Sequence, residues 1–375
     1  MTPAPDIGLY VHIPFCQHRC HFCAFYLEIA HADRMAQFYS ACTHEIQLLR
    51  QHDVLQGRML QSIYFGGGTP TALSPDQLAA LLKSIHTAWP TSPTAEITVE
   101  AHPASVTRTD LTVLAEAGFT RISFGAESMK EQDFVPIGRH GLVQDTATAV
   151  QAAREAGFVN INLDLMYGLP GQSLQDWRQT LELIVSLNPS HVSCYALTIE
   201  EGTRLAQDIA RHRVPPVDDQ LQLDMESSTA QLLTQAGFVQ YEISNYAKPA
   251  WRCRHNLLYW TGGEYLSLGP SAQSYVNGVR LGNVANLDRY MNDLNENRLP
   301  LTDCTVLSQP EQHRDALVFG LRLLRGVPLD VITGAERNAE VDRLIASGFL
   351  NVDHERIWLT PLGRRYADSV AERLF

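Results

Sequence analysis

No apolar run in the 375-residue chain reaches membrane-spanning length. The first residues, Met-Thr-Pro-Ala-Pro-Asp, lack the basic region and apolar core of a signal peptide. No spanning helix is expected, and membrane contact is peripheral at most. Basic residues are few. Lys and Arg number 29 against 41 Asp and Glu, a formal net charge of −12. That balance argues against nonspecific nucleic-acid binding and against a basic membrane-surface patch. Cysteine is sparse too: there are seven, three of them clustered, which fits a reducing cytoplasm better than a disulfide framework. What is left is the composition of a soluble globular protein, 45% hydrophobic and 19% charged. At this length it can bury a large core and is expected to hold two domains.

The clustered thiols are Cys16, Cys20 and Cys23, spaced C-x3-C-x2-C directly after the apolar run 7–13. A strand feeding a tight, Cys-bearing loop suits a metal site. A structural zinc usually takes four ligands. No second Cys or His pair follows at matching distance, so zinc would need His18 or His21 as its fourth ligand. Iron–sulfur clusters are held by thiolates, and three thiolates on a four-iron cluster leave one iron open to a small molecule. Buried free cysteine, a small hydrophobe, is the bland alternative.

Up to about Tyr246, short apolar runs alternate with amphipathic stretches. Strands are expected at Leu9–Ile13, Ser62–Phe65, Glu96–Glu100, Arg121–Phe124, Asn160–Asp164 and His191–Tyr195. Ser74-Pro-Asp-Gln77 is a capping box ahead of Leu78, Leu81, Leu82 and Ile85, one apolar face at helical spacing. Trp177, Leu181 and Ile184 repeat the pattern after Ser173, and Gly118, Gly157 and Gly237 follow helices as C′ glycines. Six βα units predict an α/β fold, a partial (β/α)6 TIM-like barrel over 1–246, although periodicity alone leaves a doubly wound sheet open. Barrels carry chemistry at the C-terminal ends of their strands. Here those ends deliver the Cys loop, Gly66-Gly67-Gly68-Thr69, Glu100 and His102, Gly125 and Glu127, Asp164, then Tyr195 and Ala196. A glycine triplet is often just a turn, but after a strand it lets the backbone approach a ligand closely.

C-x3-C-x2-C with a following aromatic resembles the signature of the radical S-adenosylmethionine (SAM) family. Tyr10-Val-His-Ile-Pro-Phe upstream is similar to the branch holding oxygen-independent coproporphyrinogen III oxidases and heme chaperones. The likeness covers nearly the whole chain. It implies a radical SAM barrel with a [4Fe-4S] cluster on Cys16, Cys20 and Cys23, its open iron binding SAM. It further implies that Tyr10 contacts the ligand, that Gly67, Gly68 and Thr69 meet the amino group, and that Glu100 and Glu127 lie by the ribose. Arg139 would sit near the carboxylate, with Asp164 and Ala196 on the ribose and adenine side. Carboxylates suit the ammonium and the diol, and an arginine suits the carboxylate. Three positions depart from the family pattern: Glu127 for Gln, His102 for Asn, Ala24 for Asp. Glu127 is expected to be protonated or paired.

The oxidase branch has a further Cys where this chain has Phe25, and a longer N-terminal arm; both differences point to the heme chaperones. Over 247–302, a connecting segment, Cys253-Arg-His255-Asn256-Leu-Leu-Tyr259-Trp260 is similar to their H-N-x-x-Y-W motif. A lone His among aromatics is more often structural. The resemblance instead implies His255 as a heme ligand, with Cys253 the weaker alternative, and Gln273 stands where many relatives carry His. Heme and heme-accepting apoproteins are then the partners, and a homodimer is compatible with the sequence. Porphyrinogen oxidation and radical SAM methyl transfer are the competing functions. Over 303–375, a helix ending near Gly326, a helix at Val341–Ala346, two short strands and a helix after Pro361 resemble a winged-helix module. Trp358 is expected in its core.

Overall fold

A computed structural model describes residues 7–332 and 335–374. Six parallel strands form its centre: β1 (Ile7–Ile13), β2 (Leu60–Gly67), β3 (Thr91–Ala101), β4 (Arg121–Glu127), β5 (Asn160–Tyr167) and β6 (His191–Ala196). Each pairs with the next in sequence. Helices fill the crossovers: α1 (Ala32–Gln51), α2 (Pro75–Ala88), α3 (Arg108–Ala117), α4 (Glu131–Ile137), α5 (Val143–Glu155) and α6 (Leu174–Ser186). This is the expected (β/α)6 partial barrel, and the strands run longer than their apolar runs because their ends are polar.

Two-residue alternation divides the strands between two environments. Ile63, Phe65, Val99, Ile122, Phe124, Leu163 and Val192 are fully buried in the main apolar core with the helices. The intervening positions are polar and line a central cavity. Strand register stacks them in rows, Tyr10 beside Tyr64, Glu100 beside Ser123 and Asn162, Asp164 beside Ser193. The helix signals act as expected. Ser74 accepts the Gln77 amide in a reciprocal capping box, and Leu78, Leu81, Leu82 and Ile85 are buried below it. Gly118, Gly157 and Gly237 follow their helices at φ of 108°, 101° and 84°.

The sheet stays open and extends at both edges. Tyr265–Leu268 runs parallel to β1, followed by an antiparallel ribbon of Gln273–Val276, Val279–Asn283 and Leu301–Val306. On the far side Asn245–Ala247 pairs antiparallel with β6. Residues 265–306 thus enlarge the barrel sheet as well as connecting it onward.

A second apolar cluster gathers Leu317, Leu344, Leu350, Ile357 and Val370. Leu350–Val352 and Arg356–Leu359 pair antiparallel there, as the wing pattern predicts, with Val327–Pro328 as a third strand. Two details differ from expectation. The helix before the wing ends at Gly320, not near Gly326, because the Ile243 amide bonds the Arg322 carbonyl and the Leu324 amide the Tyr241 carbonyl. Trp358 is half-buried, since strand alternation gives the inward positions to Ile357 and Leu359.

Candidate cofactor and cargo site

The site begins where β1 ends. The Gly68 amide bonds the Ile13 carbonyl at 2.8 Å and the Thr69 amide the Phe15 carbonyl at 2.7 Å. These bonds lace the glycine loop after β2 to the entrance of the Cys loop. The approach is close enough to require glycine: a Cβ on Gly68 would lie 2.7 Å from the Phe15 carbonyl oxygen. Cys16 Sγ comes within 3.5 Å of Thr69 Oγ1. Cys16, Cys20 and Cys23 are half-buried and free of disulfides. Burial raises all three thiols, while the Thr69 hydroxyl beside Cys16 and the Arg139 guanidinium beside Cys20 act the other way.

All three thiols border one cavity of about 940 Å³ inside the strand ends. Tyr10, Gly67, Gly68, Thr69, Glu100, Glu127, Arg139, Asp164, Ala196 and His255 border it too, so the residues singled out in the sequence meet in one place. Glu100 accepts a 2.7 Å hydrogen bond from Tyr64, and burial pushes its carboxyl up to about 7. Asp164 accepts from Ser123 and from Asn162, each at 2.8 Å. Glu127 ends β4 in the left-handed region at φ 62°, just past a register irregularity after Gly125. Its Oε1 lies 3.7 Å from Arg139 Nη1, and Arg139 also donates to the Gly125 carbonyl. Glu127 is therefore paired; burial raises its carboxyl and Arg139 opposes the rise.

These residues fit the implied cofactors. Among the described residues no three His, Cys, Asp or Glu side chains converge as a single metal ion requires. Thiolates around a multi-iron cluster can stand further apart. Buried carboxylates beside a glycine cradle suit a ligand that brings its own positive charge and hydroxyls.

His255 and Cys253, singled out in the sequence as candidate heme ligands, are both buried and hydrogen-bonded within the protein. His255 is 1% exposed. Its Nδ1 lies 2.9 Å from Ser62 Oγ and its Nε2 2.9 Å from Tyr259 Oη, so neither nitrogen is free. Burial, with Arg121 nearby, lowers its pKa to about 3 and keeps the ring neutral. The Cys253 thiol donates to Glu96 Oε1 at 3.3 Å, and burial pushes it up to about 12. His255 borders the cavity from the helix α7 (Arg254–Trp260), and Cys253 is that helix's N-cap.

Sequence reasoning missed Tyr64, Ser123, Asn162 and Ser193, which also line the cavity. The usable signal was parity. Each lies an even number of positions from a polar strand end already identified, and hence on the same face.

Comparison with known proteins fits this geometry. Residues 10–184 match the radical SAM superfamily model, and residues 307–366 match the HemN C-terminal domain. The heme chaperone HemW of Mycobacterium tuberculosis is 34% identical over 99% of this chain and 95% of its own length. The chain belongs to the HemW family of radical SAM proteins. HemW of Escherichia coli is 37% identical over 74% of this chain and 72% of its own length. HemW of Bacillus subtilis is 34% identical over 85% and 84% respectively. Among solved structures, coproporphyrinogen III oxidase (HemN) from Escherichia coli superposes with a TM-score of 0.86 over 98% of this chain and 90% of that one. At 24% identity that likeness establishes the fold alone. No described helix is long and apolar enough to cross a membrane.

Proposed function

We propose that this chain is a heme chaperone, which binds a [4Fe-4S] cluster, SAM and heme and passes heme to apoproteins in the cytoplasm. One observation carries the reading: near-full-length similarity to HemW proteins, with the family's cofactor-binding positions gathered on one cavity. Phe25, 70% exposed at the rim, occupies the position where the oxidase branch has its further cysteine.

In this reading Cys16, Cys20 and Cys23 hold the cluster as thiolates; coordination offsets the burial that otherwise keeps them protonated. When bound, such a cluster supplies an open iron for the amino and carboxylate groups of SAM and an electron at low potential. Gly67, Gly68 and Thr69 pass close to the amino group. Glu100 and Asp164 accept from the ribose hydroxyls, Tyr10 flanks the ligand, and Ala196 borders the adenine. Arg139 meets the carboxylate while holding Glu127 in its paired state.

The test is hemin titration followed by transfer. Hemin-loaded protein should give up heme to an apo-hemoprotein acceptor. Anaerobic protein with intact cluster, SAM and dithionite should leave coproporphyrinogen III unchanged. Decarboxylation of the porphyrinogen would replace the chaperone by an oxidase. Release of 5′-deoxyadenosine in the same mixture separates cleavage of SAM from binding alone.

A further inference from the structure

We propose that the inner end of the cavity is a carboxylate site, built on the Arg121 guanidinium, that takes a heme propionate. The assignment rests on the heme-chaperone reading and names the group that fixes the porphyrin there. Arg121 opens β4 and borders the cavity, yet it is 1% exposed. Among the described residues its Nε and Nη1 find no hydrogen-bond partner. Thr98 stands beside it in register on β3, fully buried, and its Oγ1 is also without a partner. Orphaned buried polar atoms are costly, those of a charged group most of all. A guanidinium can only donate and a hydroxyl can donate too, so what this row of the sheet calls for is an acceptor.

The acids around Arg121 are engaged elsewhere. Glu96, on the same face of β3, accepts on Oε1 from the Cys253 thiol and from the amides of Arg254 and His255, at 3.3, 2.9 and 3.3 Å. Glu100 accepts from Tyr64, and burial pushes its carboxyl up to about 7. Burial keeps Tyr64, Tyr241 and Cys253 protonated and His191 and His255 neutral, so none of these brings a negative charge. A carboxylate supplies what the row needs: paired oxygens for the planar fork, an acceptor for Thr98 and the opposite charge. A guanidinium this buried is reached by a terminal group and not by a flat ring, which suits a propionate on its short arm. The SAM carboxylate belongs further up. Arg139 donates to Gly125, four residues along β4 from Arg121, a rise of about 13 Å. One methionine carboxylate cannot serve both arginines, which leaves the second site to heme.

The test compares hemin with its dimethyl ester, in matched detergent, on reconstituted wild type, Arg121→Met and Thr98→Val, with iron and sulfide content measured in each. Wild type should bind hemin at least about tenfold more tightly than the ester. Arg121→Met should bring that ratio to about one by weakening hemin alone, with affinity for SAM unchanged. Thr98→Val should lower the ratio about two- to fivefold. A wild-type ratio near one overturns the assignment, and so does a ratio in Arg121→Met that stays at the wild-type value. Weaker SAM binding in Arg121→Met with hemin unaffected overturns it too, by giving the site to the methionine carboxylate. Should Arg121→Met fail to fold, Arg121→Lys replaces it, keeping the charge without the fork: a ratio reduced about threefold or more supports the site, and a smaller change overturns it. A wild type that binds neither hemin nor the ester saturably sinks the chaperone reading itself, whereas saturable binding with no preference for the free acid sinks only the propionate site.

Discussion

Arg139 and Glu127 face each other across the cavity rim, guanidinium nitrogen to carboxylate oxygen at 3.7 Å, with side chains only 11% and 13% exposed. An exposed pair of this kind contributes little. Here both partners are largely shielded from water, and the acid has an unfavourable backbone conformation. The charge that a glutamine would lack is therefore neutralised inside the site itself, and Arg139 is divided between Glu127 and any ligand carboxylate.

Glu127→Gln should free that guanidinium. In cluster-loaded protein the affinity for SAM is expected to rise roughly three- to tenfold, measured by calorimetry under anaerobic conditions. Arg139→Ala should weaken it by at least about tenfold. A loss of affinity in Glu127→Gln would show that the carboxylate itself holds the ligand.

Gly68→Ala places a methyl 2.7 Å from the Phe15 carbonyl oxygen. The Cys loop must then shift away from the glycine loop. Iron and sulfide retained after reconstitution should drop to less than about half of wild type, with far-ultraviolet circular dichroism unchanged. Full cluster content would mean that the loop has slack the geometry does not show.

Tyr259→Phe removes the partner of His255 Nε2 in a buried setting. An orphaned buried polar group costs about 1–3 kcal/mol. A lower thermal midpoint is expected. An unchanged midpoint would argue that the cavity supplies a water in the hydroxyl's place.

Glu45 gives a pH signature away from the cofactor site. It is 1% exposed, and burial pushes its carboxyl up to about 7 despite bonds from Tyr290 at 2.6 Å, the Gly269 amide at 2.8 Å and Asn283 at 2.6 Å. Its folded pKa lies above the unfolded one, near 4.5. The folded state therefore holds the proton more tightly, and this contribution is full below about 4.5 and lost as pH rises toward 7. Glu45→Gln should flatten that decline, by up to about 3 kcal/mol between pH 5 and 8, in urea denaturation at the two pH values. Parallel pH profiles for the two proteins would count against a buried, proton-holding Glu45.

Much of the barrel was legible in the chain because each βα unit announces itself locally. Apolar runs, the Ser74 and Ser173 caps and the C′ glycines are short-range signals that need no partner. The polar strand ends were legible as a site because buried charge at the tips of parallel strands demands a shared cavity. Three things were not legible. The hydrogen bonds that close both nitrogens of His255 come from Ser62, 193 residues away, and from Tyr259 one helical turn on, and no local pattern marks the first. The early end of the helix at Gly320 depends on the segment 241–243 pairing across from it. The His18–His140 stack joins residues 122 positions apart through a turn that only the folded chain brings round.

The lacing of Gly68 and Thr69 to Ile13 and Phe15 makes the sulfur-bearing loop and the nucleotide cradle a single mechanical part. Iron shortage would then slacken the grip on the sulfonium ligand before it touched the fold, so that nucleotide retention would gauge how fully the protein is metallated.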